Sequence, residues 1–126
     1  MSLRSLGPAA VLLAFACTHA AASRMSARVL GTLPGAPNAA EPVAGAHVLM
    51  SCPDGQQLDL GRTGSDGYLD VAPSTAPALD CTLTFARAGY KPETFPVDKA
   101  CVERAANTCI GMRATAVLEP TGSAGY

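Results

Sequence analysis

The chain has 126 residues, a formal net charge of −1, and 5% aromatic residues with no tryptophan. That length admits one domain once a leader is subtracted. The near-even charge balance offers no basic patch for nucleic acid or anionic lipid, and so few rings leave no stacking platform for sugars or single-stranded nucleic acid.

Arg4, an apolar run over residues 9–16 and the small residues Ala20-Ala21-Ala22 form a basic head, a short hydrophobic stretch and a cleavage zone. Residues 1–22 therefore read as a secretory signal peptide. The run falls short of the roughly 20 residues a membrane-spanning helix needs, and nothing later in the chain replaces it. A buried amphipathic helix fits poorly, because the run has no polar face and alanines follow it where a cap would stand. Two cleavage readings stay open. Ala20-Ala21-Ala22 satisfies the small-x-small rule of ordinary signal peptidase, while Phe15-Ala16-Cys17 resembles a bacterial lipobox with Cys17 as the lipidated first residue. In a lipobox, Ala14 and Phe15 would occupy places usually held by Leu and a small or aliphatic residue. Both readings export the chain, as a secreted protein or as an outer-membrane or periplasmic lipoprotein whose only membrane contact is the Cys17 anchor.

With Cys17 assigned to the signal, Cys52, Cys81, Cys101 and Cys109 remain in the mature chain. Four cysteines can form two bridges. No C-x-x-C spacing occurs and the compartment is oxidising, which favours disulfides over a metal site.

Taken in order, residues 23–27 read as a patternless tether, and residues 28–120 as the domain. Val29 and Leu33 mark a first strand over residues 28–33. Pro34, Gly35, Pro37, Asn38 and Pro42 then predict a loop, since proline cannot donate to a ladder. From 46 to 52, Ala46, Val48, Met50 and Cys52 alternate with His47, Leu49 and Ser51, which is strand periodicity. Pro53-Asp54-Gly55 is a turn, and Leu58 and Leu60 continue in period two beyond it, predicting a hairpin. Thr63-Gly64-Ser65-Asp66-Gly67 turns again before Leu69 and Val71. The clearest strand places Leu79, Cys81, Leu83 and Phe85 on one face. Gly89-Tyr90-Lys91-Pro92 ends it, residues 94–97 form a short edge-like run, and residues 114–119 supply a last strand. Between these two, residues 98–111 are predicted to hold one helical turn, over residues 102–107, closed by Cys101 and Cys109. Residues 121–126 read as a disordered tail. About seven short strands, frequent turns and no long helix predict an all-β, Greek-key sandwich.

Four segments resemble the carboxypeptidase regulatory-like module, a transthyretin-like (prealbumin-like) β-sandwich. They are Val29-Leu30-Gly31-Thr32-Leu33, then Pro42-Val43-Ala44-Gly45-Ala46-His47-Val48, Thr63 with Asp66-Gly67-Tyr68-Leu69, and Phe85-Ala86-Arg87-Ala88-Gly89-Tyr90. Residues 98–111 and the proline-rich loop lie outside the resemblance. In the topology it implies, the second and fifth strands are antiparallel neighbours, so the end of one meets the start of the other and Cys52 pairs with Cys81. Cys101 and Cys109, close in sequence, are then left to pair with each other.

Some transthyretin-like proteins are enzymes, so their catalytic groups are the ones to look for. Hydroxyisourate hydrolases use several histidines and end in Tyr-Arg-Gly-Ser, whereas this chain ends in Thr121-Gly122-Ser123-Ala124-Gly125-Tyr126 and has only His47 outside the signal region. The two tyrosines and two histidines that hold iron in intradiol dioxygenases cannot be assembled. No Gly-x-Ser-x-Gly elbow accompanies His47, which reads as a solvated strand residue. Asp54, Asp59, Asp66 and Asp70 match no calcium loop and fit turn chemistry better. The expectation is a module with no catalytic residue, cofactor or metal. It would present loops and sheet edges to a protein or peptide partner in the cell envelope and would not bind nucleic acid. A small-ligand or carbohydrate-binding domain is the alternative and an uncharacterised hydrolase the least favoured.

Overall fold

The computed structural model describes residues 23–121. Segments of alternating buried and exposed residues pair into two sheets whose apolar faces meet. The first sheet contains β1 (Arg24–Leu33), β2 (Ala36–Pro42), β5 (Tyr68–Val71), β8 (Cys101–Ala105) and β9 (Thr108–Leu118). Its order is β2-β1-β9-β8, with β5 also paired to β1. The second contains β3 (His47–Ser51), β4 (Gln57–Arg62), β6 (Thr82–Ala86) and β7 (Glu93–Pro96), ordered β4-β3-β6-β7. One helical turn, α1 (Val97–Ala100), leads from β7 into β8.

β1 and β9 run parallel, from Arg24 against Gly111 to Gly31 against Leu118. Their inward residues are mostly small: Ala27, Val29, Ala114 and Ala116 beside Met25, Met112 and Leu118. The opposing sheet supplies bulkier Val48, Met50, Leu83 and Phe85. Small side chains on one layer thus meet larger ones on the other, the complementarity that a close-packed core requires. Phe85 also stacks on Phe95 of β7, with ring centroids 5.3 Å apart.

Five expectations need correction. Residues 24–27, read as part of a tether, are the start of β1, where Met25 and Ala27 are buried and Arg24 is exposed. Alanine and serine look patternless in composition, yet beside the equally small β9 face an alanine is what fits. The loop predicted over residues 34–42 contains β2, an edge strand entered through Gly35 at φ 77°. Proline is tolerated there because an edge has one side free of ladder bonds. The helical turn expected over residues 102–107 is displaced upstream to α1, and β8 takes its place, pairing with β9 across a turn at Ala106-Asn107. The backbone groups along that side of β9 need partners, and this tertiary demand overrides the helix propensity of Val102 to Ala105. The last strand accordingly begins at Thr108 and ends at Leu118. Nine strands, not about seven, form the sandwich among the described residues.

Two disulfides brace it. Cys52 follows the last residue of β3 and Cys81 precedes the first of β6, where Ser51 and Thr82 are in register; the cysteines are joined with Cα atoms 4.1 Å apart. Cys101 and Cys109 are joined across the β8–β9 hairpin, with Cα atoms 5.8 Å apart.

Candidate functional site

The segments singled out in the sequence converge on one corner and interlock there. Thr63 is buried: its hydroxyl donates to the Val43 carbonyl at 2.6 Å and accepts the Ala46 amide at 2.9 Å. The Gly45 amide donates to the Thr63 carbonyl at 2.9 Å. Gly67, at φ 80°, presses against β1, where a β-carbon would lie 2.7 Å from the Val29 carbonyl oxygen. Arg87 Nε donates to the Ala44 carbonyl at 2.8 Å, and the Tyr90 ring covers Gly31. The Thr63 hydroxyl and the Arg87 guanidinium are thus engaged in holding backbone.

His47 opens β3 on the outward face of the second sheet. Its Nε2 donates to Asp59 Oδ1 at 2.8 Å. The pairing depends on an irregularity in β4: register slips between Val48 and Leu49, Gly61 adopts φ 116°, and the Gly61 amide donates to the same Asp59 oxygen at 3.0 Å. The His47 hydrogen bond is the main cause that holds the Asp59 carboxyl below its ordinary 3.8, opposed by partial desolvation and aided by the Gly61 amide. Sequence reading missed this partner, although a glycine inside a strand pattern is a recognised bulge signal. A histidine oriented by a carboxylate is half of a nucleophile-activating device. No hydroxyl or thiol hydrogen-bonds to His47 among the described residues, and the pair lies on an open sheet face, with side chains 25% and 64% exposed.

Asp54 and Asp66 accept backbone amides two residues on, from Gln56 and Tyr68, as turn residues do. No group of three or more His, Cys, Asp or Glu side chains gathers into a metal site among the described residues. Cys17 and the rest of residues 1–22, read above as a signal peptide, and residues 122–126 of the segment read as a tail lie outside those described. Thr121 is held by its amide to the Gly89 carbonyl at 2.9 Å. No helix among the described residues is long and apolar enough to cross a membrane.

Two open clefts flank the sandwich. One, of about 400 Å³, lies between the β3–β4 hairpin and residues 73–81 and is walled by Met50, Leu58, Pro77, Asp80 and the Cys52 to Cys81 bridge. The other, of about 570 Å³, lies where β1 begins and is lined by Arg24, Ser26, Asp70, Val102 and Arg113. The second lies on the outward face where β1 and β9 bring Arg24, Arg28 and Arg113 together, with Asp70 and Glu103 beside them.

These features define a disulfide-braced, two-sheet β-sandwich. No protein-family model matches the chain, and no curated protein does. Among solved structures it is similar in fold to GBS52, the minor pilin of the Gram-positive pathogen Streptococcus agalactiae, at 10% identity and a TM-score of 0.52, covering 82% of this chain and 46% of that one. The group B streptococcus pilus 2b backbone protein also aligns, at 12% identity and a TM-score of 0.48, over 82% of this chain and 43% of that one. The chain thus spans less than half the length of either structure.

Proposed function

We propose that the chain is an exported, non-catalytic β-sandwich module of the transthyretin-like, carboxypeptidase regulatory-like kind. It acts in the cell envelope by presenting a surface to a protein partner. The observation that carries this reading is the interlocked corner: Thr63, Gly67, Arg87 and Tyr90 are all engaged in holding backbone or covering β1, which accounts for the sequence motifs without a reaction. The parallel first and last strands and the β4-β3-β6-β7 sheet are consistent with the transthyretin-like kind. The signal-like leader supports export, with Ala22 or Cys17 at the processing site, and the similarity in fold to a minor pilin fits a surface role. The cleft of about 400 Å³ beside Cys52 and Cys81 favours a second reading, in which the module holds a small ligand or a carbohydrate.

The test is to assay the purified chain and His47→Ala against generic ester and peptide substrates, and in parallel to fractionate cells expressing the full sequence. The expected result is no turnover that depends on His47, with the protein recovered outside the cytoplasm. Hydrolysis abolished by His47→Ala would overturn the non-catalytic reading, and retention in the cytoplasm would overturn export.

A further inference from the structure

The six arginines among the described residues divide sharply by what their guanidinium groups do. Arg62 donates to the Gly45 carbonyl at 3.2 Å, Arg87 to the Ala44 carbonyl at 2.8 Å, and Arg104 pairs with Asp98. Each of these three has a partner within the domain, Arg104 through an exposed ion pair of small energetic weight. With the other described residues, Arg24, Arg28 and Arg113 make no side-chain hydrogen bond and no ion pair; Arg28 lies over the Tyr68 ring, 5.3 Å from its centroid. All three unpaired arginines stand on one face, and none of the paired ones does.

The face is set by the parallel register. Arg113 is in register with Ser26, which lies midway between Arg24 and Arg28 on β1. Along the strand direction the three guanidinium-bearing residues therefore sit at levels 24, 26 and 28, zigzagging between two neighbouring strands. With roughly 3.3 Å of rise per residue and about 4.8 Å between strands, successive Cα atoms are about 8 Å apart. Three like charges at that spacing repel one another, and two acidic side chains share the face without pairing with them: Asp70, in register with Ser26 on β5, and Glu103, in register with Gly111 on β8. Beside the arginines the face carries Tyr68, Leu30 and Val117, with Tyr68 43% and Val117 44% exposed.

We infer that the outward β1/β9 face is a docking surface for an extended acidic segment of a partner protein, its carboxylates at alternate residues meeting Arg24, Arg113 and Arg28. The period supports an extended chain: side chains at every second residue of a strand repeat with the same rise as the three arginines. The residue type supports carboxylates, because the guanidinium fork binds them bidentately and a lysine would act only as a point charge. The neighbouring tyrosine and aliphatic side chains favour a protein over a lipid surface, since protein interfaces combine arginine with aromatic and apolar contacts. This inference names the surface used by the module proposed above and rests on that reading. Failure of the face to bind would leave the non-catalytic reading standing, and a His47-dependent activity would overturn that reading without touching the face.

The experiment measures binding of the full-length chain to a capped peptide of alternating glutamate and threonine, with its glutamine–threonine counterpart and phosphatidylglycerol vesicles as separate arms. The glutamate peptide should bind in a salt-sensitive manner, and the glutamine peptide and the vesicles should not. Arg24→Gln/Arg28→Gln/Arg113→Gln should abolish binding. Removing equal charge elsewhere, in Lys91→Gln/Lys99→Gln/Arg104→Gln, should leave it within about twofold, because long-range charge alone is screened. Replacing all three face arginines by lysine should weaken binding about tenfold, as the bidentate fork is lost. The proposal is overturned if the glutamine peptide binds equally, if the two triple glutamine variants behave alike, or if vesicles bind and the peptide does not. Since the substituted side chains are exposed, circular dichroism is expected to be unchanged in each variant.

Discussion

Tyr90 lies across Gly31 so closely that a β-carbon at position 31 would come within 2.7 Å of Tyr90 Cε1 and 2.9 Å of the tyrosine hydroxyl. Two segments far apart in sequence, the opening strand and the turn after β6, therefore constrain each other. Val43 Cγ2, also 2.9 Å from that position, closes the third side. Gly31→Ala should destabilise the domain by about 1–3 kcal/mol through overpacking. In a Tyr90→Ala background the same substitution should cost markedly less. Urea denaturation of the two single variants and the double variant gives the coupling directly, and strict additivity would show that the ring does not press on position 31.

The two disulfides should differ in what their removal costs. The Cys52 to Cys81 bridge closes a separation of 29 residues and the Cys101 to Cys109 bridge one of 8. On the chain-entropy view, Cys52→Ala/Cys81→Ala should lose about 3–4 kcal/mol and Cys101→Ala/Cys109→Ala about 2–3 kcal/mol. The first bridge also ties the ends of two central strands, whereas the second clips an edge hairpin. Thermal melts of both variants should therefore rank the first as the less stable, and a reversed order would refute the assignment.

Asp59 should titrate below 3.8 in the folded protein, because the His47 Nε2–H and the Gly61 amide both favour its ionised form. A carboxyl whose folded value is lowered contributes stability that is present above its unfolded value and is lost as pH falls through the folded one. The stability contributed by the Asp59 carboxylate should thus be present above pH 3.8 and be lost as pH falls through its lower folded value. Carboxyl carbon shifts followed by NMR should place the Asp59 midpoint below that value in the native protein, and closer to it in His47→Ala. Identical midpoints in the two proteins would show that the hydrogen bond is absent in solution.

Local pattern made the central strands and the tight turns legible in the sequence. Val48 with Met50, and Leu83 with Phe85, alternate in period two and face the core, since a strand buried on one face needs apolar side chains at every second residue. Asp54 and Asp66 carry turn chemistry that acts within two or three residues. The order of these elements, with the resemblance they carry, placed Cys52 beside Cys81. Tertiary structure alone decided the first half of β1, the edge strands β2 and β8, the Asp59 partner of His47 and the arginine face. Edge strands form because a neighbour's backbone amides and carbonyls need partners, a demand that leaves little trace in their side chains. Asp59 reaches His47 only through a slip of register in β4. Arg113 joins Arg24 and Arg28 only because β9 returns parallel to β1, so that residues nearly ninety positions apart share one face.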